Sequence, residues 1–105
     1  MKVLFDQGTP VPLRDYLQPH SVDTSAEQGW ATLQNGELLN AAESANYDIF
    51  VTTDANLKYQ QNLSRRKIRI LVLTSTSWPR IRKKTDLIRN ALANLDEGGY
   101  VEVEI

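Results

Sequence analysis

The chain has 105 residues, 41% of them hydrophobic and 24% charged, with a formal net charge of −1 at neutral pH. That length suits one domain around one core. There is no cysteine, which excludes disulfides and thiolate metal ligands, and no run of about 18 apolar residues exists to span a membrane. The opening "MKVLFDQ" reads as a strand rather than a leader peptide, so a cytoplasmic protein is expected.

Charge is unevenly spread. Residues 64–84 hold 8 of the 12 basic residues and no acid, whereas residues 1–63 hold 3 basic and 8 acidic residues. An acidic part beside a basic segment suits metal ions on one side and a phosphate backbone on the other. A solvated surface with chance clustering is the plainer reading.

In chain order, "KVLF" (2–5) is a compact apolar run that predicts a buried strand. Residues 10–18 predict a short helix with prolines in its first turn. "HSVDT" (20–24) is a second, weaker strand. Residues 36–46 predict a helix with Asn35 as N-cap and Leu38, Ala41, Ala42 and Ala45 on one stripe. "DIFVT" (48–52) is a third strand, and a shorter helix is expected through "ANLKYQQNL" after Asp54. "IRILVLT" (68–74) is a fourth strand. Ile81, Thr85, Ile88, Leu92 and Leu95 then predict one long helix, capped by Ser77 and stopped by Gly98-Gly99. "YVEVEI" (100–105) alternates strictly and predicts an edge strand.

The alternation β-α-β-α-β-α-β-α-β argues for an α/β fold: a mainly parallel sheet of about five strands in a single domain spanning 1–105, with helices on both faces. Right-handed crossovers would then gather the strand C-termini on one rim, where ligands of such sheets bind. The first strand delivers Asp6 and Gln7 to that rim. The third delivers Thr52, Thr53 and Asp54. The fourth delivers Thr74, Ser75, Thr76 and Ser77, and the second helix adds Glu37. Acids on neighbouring strands, about 4.8 Å apart, suit a shared Mg²⁺ or Mn²⁺. Each residue also has a plain role: Asp6 in a turn, Asp54 as an N-cap, Glu37 favouring a helix dipole, the hydroxyls as caps. His20 reads as a surface residue, and Trp30 and Trp78 as packing groups. A phosphatase would want a second Asp where Gly8 stands.

"MKVLFDQGTPVPL" followed by "NGELLNAAESANYDIFVTTDANL" resembles the PIN-like domain superfamily, in its short branch with a "T-x-D-x-x-[FL]" signature. The resemblance covers roughly residues 1–75. It implies a three-layer α/β/α Rossmann-like fold and a ribonuclease using Mg²⁺ or Mn²⁺ to cut phosphodiesters. It implies Asp6, Glu37 and Asp54 as metal-binding and catalytic acids. Gln7, Thr52, Asn56, Thr74, Ser75 and Ser77 would hold water or phosphate, and Arg65, Arg66, Arg80, Arg82 and Lys83 the RNA backbone. Many such proteins are toxins with a small antitoxin partner, and homodimers are common. This chain departs from the branch at Gln7, where Glu is usual, and at Asn56, where a second acid is frequent. Asp23 and Glu27 are the candidates for a further acid. A member that keeps the fold but binds RNA or protein without cutting is the alternative.

Overall fold

The computed structural model describes residues 1–60 and 62–105. Five short strands form its centre: β1 (Lys2–Phe5), β2 (Ser21–Thr24), β3 (Ile49–Thr52), β4 (Arg69–Leu73) and β5 (Tyr100–Val103). They make one sheet in the order β2-β1-β3-β4-β5, with every neighbouring pair parallel. β3 and the last four residues of β4 are fully buried, as expected of continuous apolar runs covered on both faces.

Because side chains alternate across a strand, each run feeds two cores. Val3, Phe5, Ile49, Val51, Leu71, Leu73 and Val103 share one face with Leu13 and Leu17, which belong to or adjoin a 3₁₀ helix (Val11–Tyr16). Ile81 of α3 (Trp78–Arg82) and Ile88 and Leu92 of α4 (Thr85–Asn94) complete that layer. Leu4, Phe50, Ile70 and Val72 face the other way, onto Leu38, Leu39 and Ala42 of α1 (Asn35–Ser44) and Leu57 of α2 (Leu57–Gln60). The molecule is therefore a three-layer α/β/α sandwich. Of the helix expected over 55–63, Leu57–Gln60 is helical and residues 55, 56, 62 and 63 are not, while residue 61 lies outside the described residues.

Two expectations are corrected. The long helix is broken: α3 ends at Arg82 and α4 begins at Thr85. Arg80, Arg82, Lys83 and Lys84 crowd one turn, and like charges three and four residues apart oppose a continuous helix. The amides of Lys83 and Lys84 bond back three residues, to Arg80 and Ile81, before the helix restarts. α4 also stops at Asn94, short of the glycines. Gly98 instead adopts φ +74° in the turn into β5, where its amide bonds the Lys67 carbonyl at 2.8 Å.

The second correction concerns handedness. The connections β2–β3 and β3–β4 advance in one direction across the sheet and pack α1 and α2 on one face. The β4–β5 connection advances the same way but packs α3 and α4 on the opposite face, so its hand is the reverse of theirs. A uniform right-handed set is the usual rule. The sequence of β5 explains the exception. Val101 and Val103 point to the α3/α4 face, whereas the other face carries the exposed Glu102 and the half-buried Tyr100, so the former is the more apolar seat for a helix.

Candidate functional site

At the C-terminal rim, the chain leaves β1 toward the 3₁₀ helix on one face and leaves β3 toward α2 on the other. Two adjacent strands whose loops diverge leave a crevice at a switch point. Asp6 directly follows β1 and Asp54 lies two residues beyond the end of β3, at neighbouring strand ends.

Asp6 follows β1 directly, with its amide bonded to the Val51 carbonyl of β3 at 3.1 Å. Its carboxylate accepts from two hydroxyls: Thr9 at 2.6 Å on Oδ1, and Thr52 at 2.5 Å on Oδ2. Both threonines are buried, at 3% and 1% exposure. The Thr52 hydroxyl also accepts from the Asp54 backbone amide at 3.0 Å, so a single oxygen links the Asp6 carboxylate to the Asp54 main chain. Asp54 Oδ1 accepts from the Asn56 amide at 2.9 Å, the turn by which an aspartate opens a helix. Asp54 Oδ2 accepts from the Asn35 side-chain amide at 2.9 Å. At Gly8 a Cβ would come within 2.6 Å of the Thr53 hydroxyl, so the loops after β1 and β3 touch there.

Three ion pairs occur among the described residues, Arg14–Glu27, Lys58–Glu102 and Arg66–Glu43, and none involves Asp6 or Asp54. Both carboxylates are thus held by neutral donors. Glu37 serves its own helix: Gln34 is the N-cap residue, and its amide donates to Glu37 Oε1 at 3.3 Å. Asn35, expected as the cap, is the first helical residue and reaches Asp54 instead. Among the described residues no group of three or more His, Cys, Asp or Glu side chains is arranged to hold a metal ion.

The remaining sequence candidates disperse. Gln7 is exposed beside Asp6, and Asn56 contributes its amide while its side chain is exposed. Thr74 accepts from the Ile105 amide at 2.9 Å, latching the end of β4 to the residues after β5. Ser75 accepts from the Ser77 amide at 3.0 Å, and Ser77 occupies the N-cap position of α3 without a side-chain capping bond. Arg80 donates to the Ile105 carbonyl at 2.9 Å, and Arg82 and Lys83 are exposed at and after the end of α3. Arg65 and Arg66 precede β4 and stand at the opposite end of the sheet, where Arg66 contacts Glu43 and Asn40. The basic residues expected to hold the RNA backbone are therefore divided between the two ends of the strands, because a strand separates its flanking clusters by its own length.

Neither candidate for an extra acid joins the crevice. Glu27 accepts from Arg14 and from the Thr24 amide, and these bonds hold its carboxyl below the usual range. Asp23 points to the α1 face and accepts from the Tyr47 hydroxyl at 2.7 Å. His20 lies at the start of β2, away from the crevice, and burial, the amino terminus and Arg89 all lower its pKa. Trp30 and Trp78 both pack on the cores, as expected.

Two predictions arise here. Burial first, then the bond to Asp23, raises the Tyr47 pKa far above its ordinary value of 10.0. The folded state thus keeps a proton that the unfolded state releases. Its stabilising contribution is complete below about pH 10 and is lost as pH climbs further. Tyr47→Phe should flatten the decline of Tm with pH in that alkaline range, read by thermal melts. Thr52→Val should cost about 1–3 kcal/mol, because it strips partners from an Asp6 oxygen and the Asp54 amide. Thr52→Ser, which keeps the hydroxyl, should recover most of that loss in denaturant titrations.

Fold and rim together define a parallel α/β sandwich with a two-carboxylate crevice at its switch point. No family model, curated protein or solved structure was found to match the chain.

Proposed function

We propose that the protein is a metal-dependent endoribonuclease of PIN-like type. One observation supports the reading: two aspartates at the switch point of a parallel sheet, the Asp6 carboxylate and the Asp54 backbone amide sharing the Thr52 hydroxyl, with neither carboxylate in an ion pair among the described residues.

The donor set fits a hard cation. Carboxylates, hydroxyls and amides all offer oxygen, with no imidazole or thiolate in the crevice. Mg²⁺ is commonly held by one or two protein carboxylates plus substrate phosphate rather than by a full protein cage. Asp6 and Asp54 meet that requirement. Bound there, Mg²⁺ or Mn²⁺ would supply a Lewis acid and a water of lowered pKa. Thr9 and Thr52 fix the Asp6 carboxylate, and Asn35 with the Asn56 amide fixes Asp54. Glu37 is placed to act only if it releases the Gln34 amide. Arg82 and Lys83 offer exposed positive charge for the RNA backbone. A toxin role with a small antitoxin, and a homodimer, belong to this proposal.

The test is incubation of generic RNA with Mn²⁺ or Mg²⁺ and with chelator. Metal-dependent cleavage supports the reading, and its absence sinks it. A second reading, a non-cutting RNA- or protein-binding module, is favoured by Glu37 being taken up by its helix. Calorimetry with Mn²⁺ separates them: no binding up to about millimolar metal, the weak end of oxygen-ligand sites, leaves only the second.

A further inference from the structure

The two edges of the sheet differ. Successive residues of a strand aim their N–H and C=O to opposite sides. On β2 the Ser21 and Ser25 amides bond the Met1 and Phe5 carbonyls, so Val22 and Thr24 face outward. The chain closes that edge itself: Thr24 donates its amide to Glu27 Oε1 at 2.9 Å, and its carbonyl accepts from the Gln28 amide at 3.2 Å. On β5 the Gly99 and Val103 carbonyls accept from the Ile70 and Thr74 amides, and the Ile105 amide donates to Thr74 Oγ1. Tyr100, Glu102 and Glu104 therefore turn their main-chain groups away from β4, and no described residue bonds those groups. An open edge is a template for another strand. No proline, lysine or glycine interrupts residues 100–105.

Charge decides which strand fits. Residues 90–105 hold the acids Asp96, Glu97, Glu102 and Glu104 and no base. Glu102 is paired with Lys58, but Asp96 and Glu97 in the turn before β5, and Glu104 just after it, are in no ion pair among the described residues. Arg69 and Arg80 donate to this segment at the Leu95 and Ile105 carbonyls, not to its carboxylates. The Lys58 ammonium lies 5.8 Å from the Tyr100 ring centre and 2.6 Å from Glu102, so the outward face of β5 already seats one cation. We propose that the β5 edge is a docking site for an extended basic segment of a partner protein. The segment adds a strand to the five-stranded sheet, with Lys or Arg at alternate positions against Glu102 and Glu104. Main-chain bonds give strand addition its affinity, and alternate side chains its selectivity. A second copy of β5 is disfavoured, because its glutamates would stand against these. The inference is independent of the nuclease reading, since β4 separates this edge from the crevice between β1 and β3.

The test titrates the whole isotope-labelled chain with a capped hexapeptide that alternates lysine with valine, followed by amide resonances. One control peptide is the same sequence N-methylated at every amide, which removes its donors. The other carries glutamate in place of lysine. Saturable shifts clustered at the amides of Tyr100, Glu102 and Glu104, given by the lysine peptide and lost with both controls, support the docking site. Glu104→Lys, at an exposed residue, should weaken the lysine peptide about fivefold with Tm unchanged. Equal binding of either control, unchanged affinity in Glu104→Lys, shifts clustered at Asp6 and Asp54, or no binding overturns it. So does a peptide-free dimer, seen by sedimentation, that protects the same amides from exchange, because the edge would then serve a second copy.

Discussion

Asp6→Asn is expected to lower Mn²⁺-dependent RNA cleavage by at least about a hundredfold while leaving the fold intact. The substitution keeps the shape and one oxygen to accept from Thr9 or Thr52, turns the other position into an amide donor, and removes the charge that a cation needs. Asp54→Asn should fall by a similar factor. The double substitution should be scarcely worse than either alone, because groups that hold one ion act as a unit. Cleavage rates on one labelled RNA, with calorimetric Mn²⁺ affinity measured in parallel, check all three. Full activity in Asp6→Asn would remove the crevice from the chemistry. Additive losses would show that the acids work separately.

The largest effect on stability is expected at Phe50. It is 1% exposed, lies in the middle of β3, and packs on the α1/α2 face with Leu4, Ile70 and Val72. Phe50→Ala should cost about 3–5 kcal/mol, the transfer of the ring plus the cavity it leaves. Domains of this class hold only about 5–15 kcal/mol in all. At about 4–8 °C per kcal/mol the fall in Tm runs to tens of degrees. Phe50→Leu should lose far less, because the surroundings close on a branched aliphatic chain. Tyr59→Ala, at a residue 77% exposed, serves as the surface control and should change stability by no more than about 0.5 kcal/mol. A melt that ranks Phe50→Ala with the control would contradict the core described above.

The strands were legible because each is an apolar run bounded by turn residues, and burial on both faces leaves little else for "KVLF" or "ILVL" to be. The edge place of β5 was legible from its alternation. Its parallel direction and the reversed hand of its connection were not, because both depend on which face α3 and α4 cover. The break at Lys83-Lys84 was hidden by a stripe that continues across it: Ile81, Ile88 and Leu92 reach one core from two helices. In the crevice, Asp6 and Asp54 could be read from strand ends and Thr52 from the same run. Thr9 and Asn35 could not, since Thr9 reaches the Val51 carbonyl 42 positions on and Asn35 the Asp54 carboxylate 19 positions on. The spacing Asp-x-x-Thr at positions 6 and 9 was the one available signal. The basic residues do not act as the linear cluster they form in sequence, because β4 and its flanking residues, between Arg66 and Arg80, set Arg65 and Arg66 at one end of the sheet and Arg80 at the other.

The close approach of Gly8 to the Thr53 hydroxyl has a bearing on how such a chain can vary. Any side chain at position 8 displaces that hydroxyl, and with it the residue between Thr52 and Asp54. Positions 8 and 53 are therefore one unit of substitution: a bulkier residue at the first has to be matched by a smaller one at the second. Relatives that keep the crevice should show the two sites changing together, glycine with a hydroxyl or a larger residue with alanine or glycine.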